Sequence, residues 1–316
     1  MPASVLVFSG IISVQLGAGL AGRMFARVSP AGVAGLRLWW AALIMAIVGG
    51  HALAGVLRQV VADRAWRDLA VAVAFGAVLA TMNLSFYQAF ARIPLGVTVT
   101  IEFLGPLAVA VASSRRRLDV LWVILAAAGV VLLTRGARLA GGAGPATAGT
   151  HSAGPLLGLS TQAAGIAFAL IAATCWAAYI LLSRSTGRRF SGASGLVIAM
   201  IVAAVLVTGP AVAAAGPALL HPAVAAEGLA IGLLSSVIPY RLELEALRRV
   251  AAGIFGIWMS LEPAVAALVG LVLLGETLLA RQWLAIGLVI VACAGASRSG
   301  GEEPRQRDEL PPPPAG

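Results

Sequence analysis

Apolar residues run through this chain in stretches of about twenty, each closed by a charge, a proline or a glycine cluster. The stretches are continuous rather than alternating. A membrane-spanning helix needs about 20 such residues, whereas a barrel strand alternates every second position. The pattern therefore predicts ten spans, at 4–22, 30–50, 68–90, 94–112, 119–135, 160–183, 191–209, 226–246, 250–273 and 280–297. The eighth is the least regular, because Arg241, Glu243 and Glu245 fall in its second half. Residues 1–22 carry no charged side chain, so they read as a retained first span and not as a cleaved signal peptide.

Two segments break the pattern. Residues 139–159 are rich in Gly, Ala, Pro and Thr and read as a linker. Residues 298–316 are charged, end in Pro311–Pro314 and read as a disordered tail. The organisation is a first five-span unit over 1–138, the linker, a second five-span unit over 160–297, and the tail.

Composition narrows the class further. Charged residues make up 11% of the 316 positions and hydrophobic ones 60%, with mean hydropathy +0.95. A soluble fold of this size could not cover itself with so little polar surface. The net charge is +9 and every basic residue is arginine. In a soluble protein that balance would suggest nucleic acid. Here the arginines stand in short clusters between apolar runs, which points to membrane orientation and to no nucleic-acid partner. With the N-terminus inside, the inner segments hold fifteen arginines (Arg58, Arg64, Arg67, Arg115, Arg116, Arg117, Arg184, Arg188, Arg189, Arg241, Arg248, Arg249, Arg298, Arg305, Arg307). The outer segments hold six: Arg23, Arg27, Arg92, Arg135, Arg138 and Arg281. The bias puts both termini in the cytoplasm. Trp66, Trp122 and Trp283 fall at predicted span ends, where interfacial aromatics belong.

The two halves resemble each other. Arg92 precedes Pro106 by 14 residues and Arg249 precedes Pro263 by the same 14, an offset of 157. Gly32, Gly35 and Leu36 match Gly192, Gly195 and Leu196 at 160, and Trp122 matches Trp283 at 161. Five spans per half is an odd number, so the second half enters the membrane in the opposite sense. The predicted fold class is an all-α membrane protein of ten transmembrane helices in two inverted five-helix repeats, a common construction of secondary transporters.

Ionisable groups inside a bilayer are costly and mark function. Glu102 lies eight residues into span four, Glu262 about halfway along span nine, and Arg37 seven residues into span two. They are the candidates for proton coupling and substrate binding. Arg37 and Glu102 belong at similar depth and can pair; the alternative is an arginine that snorkels and carboxylates that serve as structural hydrogen-bond partners. Pro106 cannot bond the carbonyl of Glu102, nor Pro263 that of Met259, so each half frees a carbonyl at an equivalent depth or simply kinks there. Asn83, Tyr87 and Gln88 on span three, with Ser85, are candidate cavity-lining groups. So are Tyr240, Glu243 and Glu245 on span eight, with Ser235 and Ser236, and Trp258 on span nine. Gln88 maps onto Glu245 by the offset of 157. Cys175 and Cys293 read as packing residues, and His51, His151 and His221 fall at loops or span ends. A nucleophile–base set, a metal-binding group and a phosphate-cradling loop are missing. The chain therefore reads as no enzyme, with no cofactor and no metal. Without an ATP site, an ion gradient remains as the energy source, and an intramembrane carboxylate is the natural proton carrier.

The stretch from Asn83 to Thr134, which opens NLSFYQAFARIPLGVTVTIEFLGP, resembles the threonine/homoserine exporter (RhtA-like) branch of the EamA-type drug/metabolite transporter superfamily. So does SSVIPYRLELEALRRVAAGIFGIWMSLEPAVAALVG from Ser235, followed by Gly275–Glu276 and the helix with Trp283. The resemblance implies an inner-membrane exporter of small amino acids, such as threonine or homoserine, driven by the proton gradient. It implies that Glu102 in IEFLGP and Glu262 in SLEPAV lie in motifs typical of the branch. The first half lacks the Gly275–Glu276 turn and has Ser113–Arg117 instead, so Glu276 reads as a loop or capping residue. The implied setting is the bacterial cytoplasmic membrane, with a small polar amino acid, protons and the bilayer as partners; the sequence sets no oligomeric state. The alternatives are export of drugs or other metabolites on the same fold, and a passive channel or lipid-handling protein.

Overall fold

The computed structural model describes residues 2–62, 65–113, 119–139, 160–190 and 194–300. Every regular element among them is helical. In chain order these are α1 (Ala3–Met24), α2 (Pro30–Ala62), α3 (Trp66–Phe90), α4 (Leu95–Glu102), α5 (Leu104–Ala112), α6 (Asp119–Leu139) and α7 (Thr161–Arg189). They continue with α8 (Ser194–Ala215), α9 (Pro222–Gly232), α10 (Ile238–Leu247), α11 (Ala252–Met259), α12 (Glu262–Leu274) and α13 (Ala280–Gly300). Nine helical stretches among the described residues are long and apolar enough to cross a membrane. The predicted span 119–135 falls in α6, whose described apolar part is the shorter Val120–Leu132. The linker from 140 to 159 and the tail beyond 300 lie outside the described residues, as do Arg64, Arg115 to Arg117, Arg305 and Arg307.

Three predicted spans are not single α-helices. The fourth breaks at Phe103, between α4 and α5, just before Pro106. Proline has no N–H for the fourth carbonyl back, so the ladder cannot run through this point unbroken. The ninth breaks at Ser260–Leu261, and Pro263 then stands in the first turn of α12, where a missing N–H is tolerated. The eighth carries a π turn at Leu233–Val237 between α9 and α10. Such a turn shifts the ladder by one residue and leaves carbonyls to be bonded from outside the helix. Two other helices supply the donors. Ser13 Oγ on α1 donates to the Leu234 carbonyl at 2.8 Å, and Arg37 Nη2 on α2 donates to the Ser235 carbonyl at 3.0 Å.

Small residues let the helices approach closely, as packing in lipid requires. A Cβ at Gly96 on α4 would lie 2.7 Å from the Ala267 Cα on α12, and one at Gly76 on α3 would lie 2.6 Å from the Ala199 carbonyl on α8. α3 packs on α7 and α8, α1 on α10, α2 on α8 and α9, α4 on α12, and α6 on α13.

One end of the bundle is plugged. Met24 and Phe25 at the end of α1, Val28 before α2, Tyr87 and Phe90 on α3, and Leu95 at the start of α4 are all buried there. Phe25 meets Phe90 edge-on with ring centres 5.2 Å apart, and Tyr87 at 6.2 Å. Edge-to-face pairs of this kind are a favoured aromatic packing geometry. Behind them, a Cβ at Gly22 would lie 2.8 Å from Phe90 and 3.1 Å from Leu274.

Candidate functional site

Beneath the plug lies a cavity of about 180 Å³, bounded by α1, α2, α3, α4, α7, the π turn with α10, and α11 and α12. A water needs roughly 10–15 Å³ of such space, so the cavity has room for a small metabolite. The two broken spans supply its carboxylates. Glu102 is the last residue of α4 and Glu262 the first of α12; they are 8% and 7% exposed, and both line the cavity. Each therefore sits at a helix end produced by a proline-linked break.

The surroundings of the two differ. Gln15 on α1 donates Nε2 to Glu262 Oε1 at 3.0 Å. The amide is 1% exposed, and its own oxygen is buried without a partner among the described residues. Glu102 has no hydrogen-bond partner among the described residues. Arg37 lines the same cavity, yet no ion pair joins it to Glu102. Its Nη2 holds the Ser235 carbonyl, its Nε lies 3.4 Å from Ser236 Oγ, and its guanidinium stands 6.0 Å from the centre of the Tyr87 ring. The pairing expected from depth alone thus gives way to capping of the π turn. A carbonyl with no helical partner is a fixed acceptor, and a guanidinium reaching it from another helix satisfies both groups. The remaining nitrogen, Nη1, has no partner among the described residues.

Asn83, Tyr240 and Glu243 are also cavity walls. Asn83 Nδ2 is bonded to the Leu79 carbonyl of its own helix at 2.9 Å. Glu243 lies four residues before the end of α10, about 6 Å along the axis from the end opposite the plug.

Six sequence candidates are not brought to the cavity: Ser85 and Ser236 are buried but do not line it, and four others find different neighbours. Tyr87 is wholly buried in the aromatic plug, and its hydroxyl has no hydrogen-bond partner among the described residues. Gln88 Oε1 accepts from Arg92 Nη1 at 2.6 Å, one helical turn on. Glu245 faces away from the cavity and pairs with Arg249, and with Arg248 at 3.6 Å. Trp258 packs with Leu6, Val7, Ile11 and Ala246 in an apolar cluster. The physical reason is shared. Residues 87, 88, 245 and 258 are polar or aromatic by type, but helical phase turns them to neighbours other than the cavity.

Sequence reasoning missed Ser13, Gln15, Trp176 and Tyr179. Ser13 and Gln15 did carry a signal: they are two polar residues at i and i+2 in an otherwise apolar first span. Trp176 and Tyr179 line the cavity from α7 but carry none, since aromatic residues are common in spans. Glu276 is 3% exposed, and its carboxylate accepts the Leu95 N–H at 2.9 Å. It is a capping residue, as its turn suggested, but it caps a helix from the other half of the chain.

The EamA-like transporter family matches residues 163–298. The threonine/homoserine exporter RhtA of Escherichia coli (strain K12) is 35% identical over 300 residues, covering 93% of this chain and 90% of that protein. RhtA of Salmonella typhimurium (strain SL1344) is 34% identical over 312 residues, covering 96% of this chain and 94% of the relative. A crystal structure of a protein 20% identical aligns over 94% of this chain and 95% of its own, with a TM-score of 0.57, and shares the fold.

Proposed function

Because the chain belongs to the EamA-like transporter family and, within it, stands with the RhtA exporters, we propose that it exports a small amino acid, threonine or homoserine, in exchange for protons. The observation that carries this reading is the pair of buried carboxylates, Glu102 and Glu262, facing one small cavity at the two helix breaks. A zwitterion needs an anionic or carbonyl partner for its ammonium and a cationic one for its carboxylate. Glu102, Glu262 and the free Gln15 oxygen offer the first. Arg37 Nη1 offers the second, on a guanidinium already oriented by the Ser235 carbonyl.

In this mechanism a carboxylate takes a proton when the cavity opens on the proton-rich side. It releases the proton on the other side, where its regained charge draws the substrate ammonium. Rocking of one repeat against the other changes the open side. The inverted repeat is supported by matched packing: α3 on α7 and α8 has its counterpart in α1 on α10 and α2 on α9. The arginine bias supports cytoplasmic termini in a bacterial inner membrane, which puts the plugged end on the outer face.

A second reading is export of an amphipathic cation. Met82, Phe86, Trp176 and Met259 give the cavity an apolar wall that such a solute would fit. Proteoliposomes with an imposed pH gradient separate the two. Uptake of threonine or homoserine that collapses with a protonophore is the expected result. Transport of cationic drugs alone moves the substrate to the second reading. Transport indifferent to the protonophore removes proton coupling and leaves passive conduction.

A further inference from the structure

The turn between α12 and α13 is built around one buried carboxylate that the transport cycle above does not use. α4 begins at Leu95 behind Pro94, and no side chain of its own segment caps it. The first N–H groups of a helix have no partner within it and carry its positive end. Leu95 N–H donates instead to Glu276 Oε2, 181 residues away, at 2.9 Å.

The surroundings fix that carboxylate in place. Gly275 has φ +68°, the left-handed conformation that suits glycine, and it turns the chain back towards α4. The Glu276 N–H is bonded to the Gly270 carbonyl at 3.0 Å. A Cβ at Gly270 would overlap Glu276 Oε2, so the bare backbone at 270 makes room for the carboxylate. Gly96 and Ala267 bring the two helices together one turn further in.

We infer that Glu276 is a positioning residue that latches the plugged end shut, by capping α4 from the opposite half of the chain. α4 carries Glu102 at its other end and α12 carries Glu262 at its first residue. The hydrogen bond thus ties together, at their far ends, the two helices that bear the candidate proton carriers. A motion that opens the plug by parting α4 from the end of α12 must break it. Burial pushes the Glu276 carboxyl up to about 7, while the Leu95 N–H pulls it the other way. The inference rests on the transport reading only in taking the plugged end to be one that opens.

The test is cysteine accessibility in the full-length protein in nanodiscs. Cys175 and Cys293 are first replaced by alanine. A reporter Met24→Cys is placed in the plug, at a position 1% exposed, and a control Ala203→Cys in the fully buried core. A hydrophilic maleimide should label Met24→Cys about tenfold faster in Glu276→Ala than with Glu276 intact, the factor set by one lost charge-assisted hydrogen bond. Gly270→Ala, which keeps the carboxylate but displaces it, should do the same. Glu276→Gln, whose amide oxygen still accepts from Leu95, should restore slow labelling. An unchanged rate in Glu276→Ala overturns the latch, and so does equal acceleration at Ala203→Cys, which reports general loosening. The readout uses no substrate. Wild-type protein that fails to move threonine or homoserine therefore overturns the transport reading and leaves the latch standing.

Discussion

The two helix breaks use the same residue types in opposite arrangements. At the first, Glu102 is the last residue of α4, where the helix dipole presents its negative end, and the carboxylate has no hydrogen-bond partner among the described residues. At the second, Glu262 is the first residue of α12, where the dipole presents its positive end, and Gln15 donates to it. The prolines are related by the offset of 157; the carboxylates are not, since 102 maps onto Met259. What the halves share is the break. A charge on Glu102 is opposed by its own helix, while a charge on Glu262 is supported by its helix and by α1. Within the transport cycle proposed above, we take that difference to favour Glu102 as the carrier of the exchangeable proton and Glu262 as the more static, ammonium-facing group.

The largest expected effect follows from that assignment. Glu102→Gln should lower export driven by a pH gradient on the order of 100-fold, the scale of a lost proton-transfer group. Exchange of labelled for unlabelled substrate at equal pH should fall much less, because Glu262 still faces the ammonium. Glu262→Gln should impair both assays together, through binding. If the two variants trade patterns, the asymmetry between the breaks is wrong.

A smaller effect probes the support on the second side. Gln15→Leu leaves the Glu262 oxygen without its donor and should weaken the folded protein by about 1–3 kcal/mol, the range for a stranded buried group. Thermal melting of the pair Gln15→Leu and Gln15→Leu with Glu262→Gln sharpens the comparison. Much of the loss should return in the double variant, because the neutral amide carries no charge to strand.

The smallest effect concerns Glu276, outside the spans. Its carboxyl titrates near 7 in the folded protein against an ordinary value of 4.5. A raised folded value means that the folded state holds the proton more tightly. Its contribution to stability is thus fully present below pH 4.5 and is lost as pH rises through 7. Glu276→Gln, which has no charge to bury, should melt with wild type at pH 4.5 and a few degrees above it at pH 8. Equal melting at both ends of that window would show that burial does not strain the carboxylate.

Much of this was legible in the sequence because membrane physics is local. An apolar run of twenty residues reports a span whatever it packs against, and each of the nine spans overlaps a predicted one, although Thr161–Arg189 and Ser194–Leu220 run past the predicted ends at 183 and 209. Arg37, Glu102 and Glu262 stood out because a charge in lipid needs a reason. Pro106 and Pro263 located the breaks because a missing N–H acts within one turn. Tyr87, Gln88, Glu245 and Trp258 misled because residue type says nothing of helical phase. Their partners are the aromatic plug, Arg92, Arg249 and the α1 cluster.

The sequence by itself determined that the chain is a helical membrane protein, that Pro106 and Pro263 disturb the ladders of its fourth and ninth spans, and which few charges lie at depth. Each of those facts depends on neighbours within a turn or a span. Only the tertiary structure decided that Arg37 holds the π turn and does not pair with Glu102, that Gln15 serves Glu262, and that Glu276 caps α4. These contacts join residues 181 to 247 positions apart. A hydrogen bond is set by distances of about 3 Å and by direction, and neither exists until the helices have packed.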